Sequence, residues 1–284
     1  MGVIWIGADA EEFRQRAGGW LEREPVLHSV LLTSVDRERR GAGSGGVFAI
    51  LGDEDGDGDG DGDGVAGVAV WTPPFRAYVS AAPVGAERLA LALLDRYPDL
   101  DGVTGVADQA AAYARVWAAH TGGTVSVAMD QRLFELDTVV PPRPSPGAAR
   151  RAGPADRDLL VAWTLAFEEE SSAAPGASVA ERVVDQLIAD QRAWMWDDDG
   201  PACFVGVSRT VAGVARVAPV YTPPDRRRRG YASALVAAVS QAVLDAGAHR
   251  CALFTDLANP TSNKVYTALG YRPVADVTAY VFTR

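Results

Sequence analysis

The residues whose types and spacing could do chemistry begin with Arg226, Arg227, Arg228 and Arg229, followed at once by Gly230, Tyr231, Ala232 and Ser233. Before them, Val217–Tyr221 is rich in β-branched and aromatic residues, and Pro223 with Pro224 can supply no ladder donor, so a strand must stop there. After them, Leu235, Val236, Ala238 and Val239 recur at helical spacing until the sequence LDAG at 244–247 ends the run with a glycine cap. The basic loop therefore opens a helix. At a helix N-terminus several N–H groups lack intrahelical partners and the dipole adds partial positive charge, which suits a phosphate. Gly230 lets backbone approach a ligand, Ala232 keeps the next contact small, and the arginines supply forked donors, so a pyrophosphate would fit.

A second cluster follows about thirty residues later. After a short apolar strand ending at Phe254–Asp256 come Asn259, Ser262, Asn263, Tyr266, Gly270 and Tyr271. Asn259 before Pro260 is a good helix cap pair, a role that could coexist with holding an amide of a ligand, and Asn263 has the same two readings. His28, His120 and His249 stand in no metal-ligand spacing, and no metal is expected.

The spacing Arg227-x-x-Gly230-x-Ala232 resembles the pyrophosphate loop of the GNAT acetyltransferase superfamily, and Asn259, Ser262, Tyr266 and Gly270-Tyr271 resemble its later motif. Both occur in the family's order, over about residues 147–284. The region after Gly230 also resembles the glycine-acyltransferase (FR47-like) branch. The resemblance implies acetyl-CoA as cosubstrate. Its pyrophosphate would lie against Arg227, Arg228, Arg229, Gly230, Tyr231, Ala232 and Ser233, its pantetheine along Val220, Tyr221 and Thr222, with Asn259 and Asn263 nearby. It singles out Tyr266 as the acid for the leaving thiolate, although Tyr266 could equally be a core aromatic. A free alkylamine is neutral in only a few molecules in ten thousand at pH 7, so transfer to an amine also needs a base. Asp256 and the cluster Glu168, Glu169 and Glu170 are the candidates, with Glu169 taken from the three. The implied activity is N-acetyl transfer to a primary amine of a small molecule or peptide by direct attack in a ternary complex. A non-catalytic acyl-CoA-binding module and transfer of a longer acyl group are the alternatives.

The elements that must position these residues are expected to form two GNAT-like α/β (α+β) domains, each a mixed, mostly antiparallel sheet flanked by helices. With 284 residues the chain has length for both. Residues 1–140 are expected to be a degenerate GNAT-like domain, 141–146 (PPRPSP) a stiff linker, and 147–284 the acetyl-CoA-binding domain. An internal duplication is suggested by VAGVAVWTPPFR, which echoes VAGVA…VYTPPDR with Thr72 and Thr222 lying 150 positions apart. No Arg-x-x-Gly-x-Gly/Ala loop follows the first copy.

In the first half the expected elements are strands at Val3–Ile6, Phe48–Leu51 and Val65–Trp71, helices at Asp9–Arg23, from Val84 and at Asp108–Ala119, and two strands within Val125–Val139. In the second half they are a strand at Ala149–Ala152, helices at Ala155–Glu170 and Val179–Ile188 separated at Pro175–Gly176, and a hairpin of Arg192–Trp196 and Ala202–Val207. The alternating Asp and Gly of 52–64 lack the distal Glu of a calcium loop and read as a solvated loop.

Charge excludes nucleic acid as a general partner. The net charge of -10 owes seven acids to the stretch from Asp53 to Asp63, and without them the balance is 27 against 30. No apolar run of membrane-spanning length and no signal-peptide pattern is present, so a cytoplasmic protein without a membrane partner is expected. Cys203 and Cys251 form no disulfide framework. Lys264 is the single lysine, and the wealth of Ala, Gly, Arg, Pro and Asp suggests a high-GC bacterial source. Nothing separates a monomer from a homodimer.

Overall fold

A computed structural model describes residues 4–43, 45–53, 64–170 and 177–284. The expected start of the first strand at Val3, most of the Asp-Gly loop and the break at Pro175–Gly176 lie outside the described residues. Local chemistry sets many element ends. Asp9 caps the first helix by accepting from the Glu11 and Glu12 amides at 2.8 and 3.1 Å. In chain order the elements are β1 (Ile4–Gly7), α1 (Ala10–Arg23), α2 (Ser29–Arg39), β2 (Val47–Gly52), β3 (Val65–Trp71), β4 (Ala77–Ala81), α3 (Pro83–Leu94), β5 (Gly102–Val106), α4 (Ala107–Thr121) and β6 (Thr124–Leu136). There follow β7 (Ala148–Arg151), α5 (Arg157–Glu170), α6 (Ala177–Ala189), β8 (Ala193–Asp197), β9 (Pro201–Val207), β10 (Val214–Tyr221), α7 (Tyr231–Asp245), β11 (Arg250–Asp256), α8 (Pro260–Ala268) and β12 (Arg272–Thr283).

The chain forms two compact units, one of Met1–Arg132 with Ala275–Arg284 and one of Leu133–Val274. These extents differ from the expected 1–140 and 147–284, because both boundaries fall inside strands, β6 and β12. In the first unit the strand order is β1-β2-β3-β4-β5-β12, followed by the Thr124–Arg132 part of β6, and the pairs from β1 to β12 are antiparallel except β4 with β5. In the second the order is β7-β8-β9-β10-β11-β6, with β10 and β11 the parallel pair and β7, β8, β9 and β10 antiparallel in turn. Each unit thus has a mostly antiparallel sheet with helices packed on it, as the sequence suggests. Leu89, Leu93, Tyr113 and Trp117 centre the first core, and Val205, Leu235, Val236, Leu253 and Tyr271 the second.

The two units repeat one topology, but not in the register of the two Thr-Pro-Pro triplets. Thr72 ends β3, the third strand of its sheet, whereas Thr222 ends β10, the fourth strand of its own. Paired prolines stop any strand they follow, so the echo marks two different strand ends. Where two strands are expected within Val125–Val139, a single strand, β6, runs from Thr124 to Leu136. Arg132 forks onto Asp276 at 2.6 and 3.0 Å, and Asp130 accepts from Thr278 at 2.7 Å, so these polar residues of β6 are ladder neighbours of β12. Among the described residues no helix is long and apolar enough to cross a membrane, and no group of three or more His, Cys, Asp or Glu is placed to hold a metal ion.

One glycine is tied directly to the shape of β10. Val217 pairs with Val207 and Val220 with Val205, so Ala218 and Pro219 bulge opposite Gly206 alone. A Cβ on Gly206 would stand 2.7 Å from the Ala218 carbonyl oxygen and 2.9 Å from Pro219 Cδ. Gly206→Ala is expected to destabilise the chain by about 1–3 kcal/mol in urea unfolding through overpacking; an unchanged midpoint would show that the bulge yields.

Candidate functional site

β10 and β11 run parallel only from Val214 to Arg216 against Arg250 to Ala252. β10 continues to Tyr221 and β11 to Asp256 without further pairing to each other, which leaves backbone donors and acceptors of both facing an opening. Pro223 and Pro224 end β10 and a single 3-10 turn, Pro224–Arg226, leads into the basic loop. Arg228 and Gly230 have left-handed backbones, φ +64° and +86°. Gly230 occupies the N-cap of α7 and no side chain caps that end. The first helical hydrogen bond runs from the Ala234 amide to the Gly230 carbonyl at 3.0 Å, so the amides of Tyr231, Ala232 and Ser233 precede the ladder.

Neighbours hold this loop in place. Ser145 donates to the Arg229 carbonyl at 2.9 Å. The Tyr231 hydroxyl donates to the Asp198 carboxylate, and Arg226 donates to the Asp198 carbonyl at 3.3 Å. Thr222 donates its hydroxyl to Cys203 Sγ at 3.2 Å, and burial pushes the Cys203 thiol up to about 11. Arg228 and Arg229 are exposed. Arg227 donates to the Thr222 carbonyl and to both oxygens of Glu170. The loop presents uncapped amides and two exposed guanidinium groups on one short stretch, an arrangement that can receive an anion.

Tyr266 lies on α8 and is 9% exposed within the core of its unit. Its ring meets Tyr271 edge-on at 5.9 Å. Burial, and then the neighbouring Cys203 thiol, raise its phenol above the ordinary tyrosine value, so it stays protonated at neutral pH. Tyr266 is therefore a core aromatic that also keeps its proton.

The remaining site residues are taken up by local structure. Asn259 caps α8 by accepting from the Ser262 amide at 3.1 Å. Asn263 accepts from Thr255 at 2.5 Å and donates to the carbonyls of Asp256 and Asn259 at 3.1 and 2.9 Å. Asp256 is exposed and caps its own turn through the Ala258 amide at 2.7 Å. Glu169 is exposed and Glu170 is paired, whereas burial raises the carboxyl of half-buried Glu168 above the usual range. Val220 is half-buried and Tyr221 buried, its ring 6.0 Å from Trp163 of α5.

Cys203, Ser145 and Asp198 are the participants that the sequence does not reveal as such. Cys203 reads as an ordinary buried strand residue, Ser145 sits in a proline-rich linker, and Asp198 lies in the short DDDG connection between β8 and β9. In the first unit, β4 passes into α3 through Ala82 alone, with Pro83 at the first helical turn. There the Ala81 amide donates to the Gln109 side chain at 3.2 Å.

Residues 212–281 match the family model described as FR47-like protein. No curated protein matches the chain in sequence. A Drosophila protein of solved structure is similar over 100% of this chain and 99% of its own, at 14% identity and a TM-score of 0.67. A GCN5-related N-acetyltransferase from Sphaerobacter thermophilus is similar over 98% and 94%, at 15% identity and 0.59. A tandem GNAT protein from the clavulanic acid biosynthesis pathway is similar over 99% and 98%, at 13% identity and 0.56. Such identities carry the fold and not the chemistry. The chain thus has the fold of the GCN5-related N-acetyltransferase (GNAT) superfamily, with an FR47-like region at residues 212–281.

Proposed function

We propose that the second unit binds acyl-CoA, acetyl-CoA first, and transfers the acyl group to a primary amine of a small molecule or peptide. The observation that carries this reading is the parting of β10 from β11 beside the uncapped start of α7. The edge of β10 that β11 leaves unpaired, at Val220 and Tyr221 and on to Thr222, whose carbonyl also accepts from Arg227, offers ladder partners to the amides of pantetheine. The amides of Tyr231, Ala232 and Ser233, with Arg228 and Arg229, meet the pyrophosphate. Asn259 and Asn263 fix the turn on the far side of the opening.

Direct transfer forms a bond from the amine nitrogen to the thioester carbonyl carbon and breaks the carbon–sulfur bond. One amine proton leaves to a base, for which Glu168, Glu169 and Asp256 are the carboxylates within the proposed site. Tyr266 gives its proton to the departing thiolate. Burial of a protonated phenol suits this role, since the group donates at any pH below its raised pKa.

Calorimetric titration with acetyl-CoA is expected to give one site per chain, because the first unit has no loop between β4 and α3 and its Ala81 amide is taken by Gln109. Two sites would show that the first unit also binds, and none would overturn the reading. A panel of primary amines, read by thiol release, tests transfer. The second reading, a binding module without turnover, is favoured by the commitment of Asp256, Asn259 and Asn263 to the β11–α8 turn. Binding without thiol release across the panel would establish it. Acyl-CoAs of increasing length in the same assay distinguish acetyl transfer from transfer of a longer group.

A further inference from the structure

Four arginines enter the loop, and two of them are already engaged: Arg226 donates to the Asp198 carbonyl and lies 3.9 Å from the Asp225 carboxylate, and Arg227 is held more closely. Arg227 Nε donates to the Thr222 carbonyl at 2.8 Å, and Nη2 reaches both Glu170 oxygens at 2.7 and 2.8 Å. Its guanidinium carbon lies 5.9 Å from the centre of the Tyr221 ring. That ring in turn lies 6.0 Å from the ring of Trp163. Trp163 and Glu170 are seven residues apart, two turns along one edge of α5. The end of β10 and the loop therefore hold α5 at two points on the same edge. Arg228 and Arg229, by contrast, are exposed, and their guanidinium groups make no hydrogen bond or ion pair among the described residues.

We propose that Arg227 is a positioning residue that ties the loop to the last turn of α5 through Glu170, and that Arg228, Arg229 and the amides of α7 meet the anion. This rests on the proposed acyl-CoA site. A carboxylate in hydrogen-bonding contact with a guanidinium neutralises it and repels a phosphate brought to the same group. The planar fork of arginine suits a tie that must bond a carbonyl and a carboxylate at once. The tie links the strand end proposed to carry pantetheine to the helix bearing Glu168, so the distance between donor and acceptor sides depends on it.

The test uses the full chain with Arg227→Met, Glu170→Gln, the double variant and Arg229→Met. Hydrogen exchange is read over residues 163–170, and acetyl-CoA is titrated into each. Arg227→Met and Glu170→Gln are expected to speed exchange at the end of α5 severalfold and equally, with no further gain in the double variant. Arg229→Met is expected to leave that exchange unchanged and to weaken acetyl-CoA tenfold or more, while Arg227→Met weakens it less than fivefold. Exchange that stays at the wild-type rate in either single variant of the pair, or a loss of fivefold or more in affinity for Arg227→Met, overturns the tie. If the wild-type chain fails to bind acetyl-CoA, the functional reading falls and the exchange measurement still decides the role of Arg227.

Discussion

Tyr266→Phe is expected to lower turnover about a hundredfold while leaving acetyl-CoA affinity unchanged, the size typical of losing one positioned general acid. The substitution removes one oxygen and keeps the ring that meets Tyr271 and fills the core. A fall in rate would then report the proton and not the packing. Because burial and the Cys203 thiol raise the phenol above 10, the wild-type rate should show no decline assignable to Tyr266 through neutral and mildly alkaline pH. Loss of its proton can begin only at higher pH. Thiol release under saturating amine, with a melting curve beside it, makes the measurement. Equal turnover in the two proteins would leave Tyr266 as a core aromatic alone.

Gly230→Glu is expected to abolish acetyl-CoA binding, a loss of about a hundredfold or more. Two effects combine. At φ +86° any side chain costs roughly 1–2 kcal/mol, and a carboxylate at the uncapped start of α7 would occupy the amides itself and repel phosphate. The fold should survive, since a Cβ there meets only Ser145, at 3.6 and 3.8 Å. Gly230→Ala separates the two effects: it carries the strain without the charge and should cost tenfold or less. Titration of both variants checks this. Wild-type affinity in Gly230→Glu would remove the loop from the site.

The strand-to-helix step at 217–232 is legible in the sequence because each part of it is local. Two prolines end a strand, a glycine opens a helix, and the apolar spacing that follows has one period. The same holds for Asp9 and Asn259, which cap helices by bonding residues two or three positions away. The long-range arrangement is less accessible. The strands β4 and β5 go unrecognised because five-residue runs dominated by alanine, glycine and valine carry no distinguishing period. Nothing near Ala275 signals that the strand there pairs with Gly102–Val106. The contact of Thr222 with Cys203 joins the residue after β10 to β9, and no spacing encodes it. The Thr-Pro-Pro echo misleads for the opposite reason: its local chemistry is real, but a stop signal does not number the strand it stops.

The pairing of β12 with β5 bears on how the polypeptide matures during synthesis. Val277–Val281 lie against Gly102–Val106, an interval of more than 170 residues, and they complete the sheet of the unit that contains Met1–Arg132. A ribosome making this chain translates that unit's first five strands early, and their β5 edge waits for a partner until residues 275–284 have been made. Such an edge can recruit other chains while it waits. Residues 275–284 thus act as the closing segment of a unit whose paired strand precedes them by more than 170 residues, and a nascent chain halted before them would leave the first unit, rather than the second, open to aggregation.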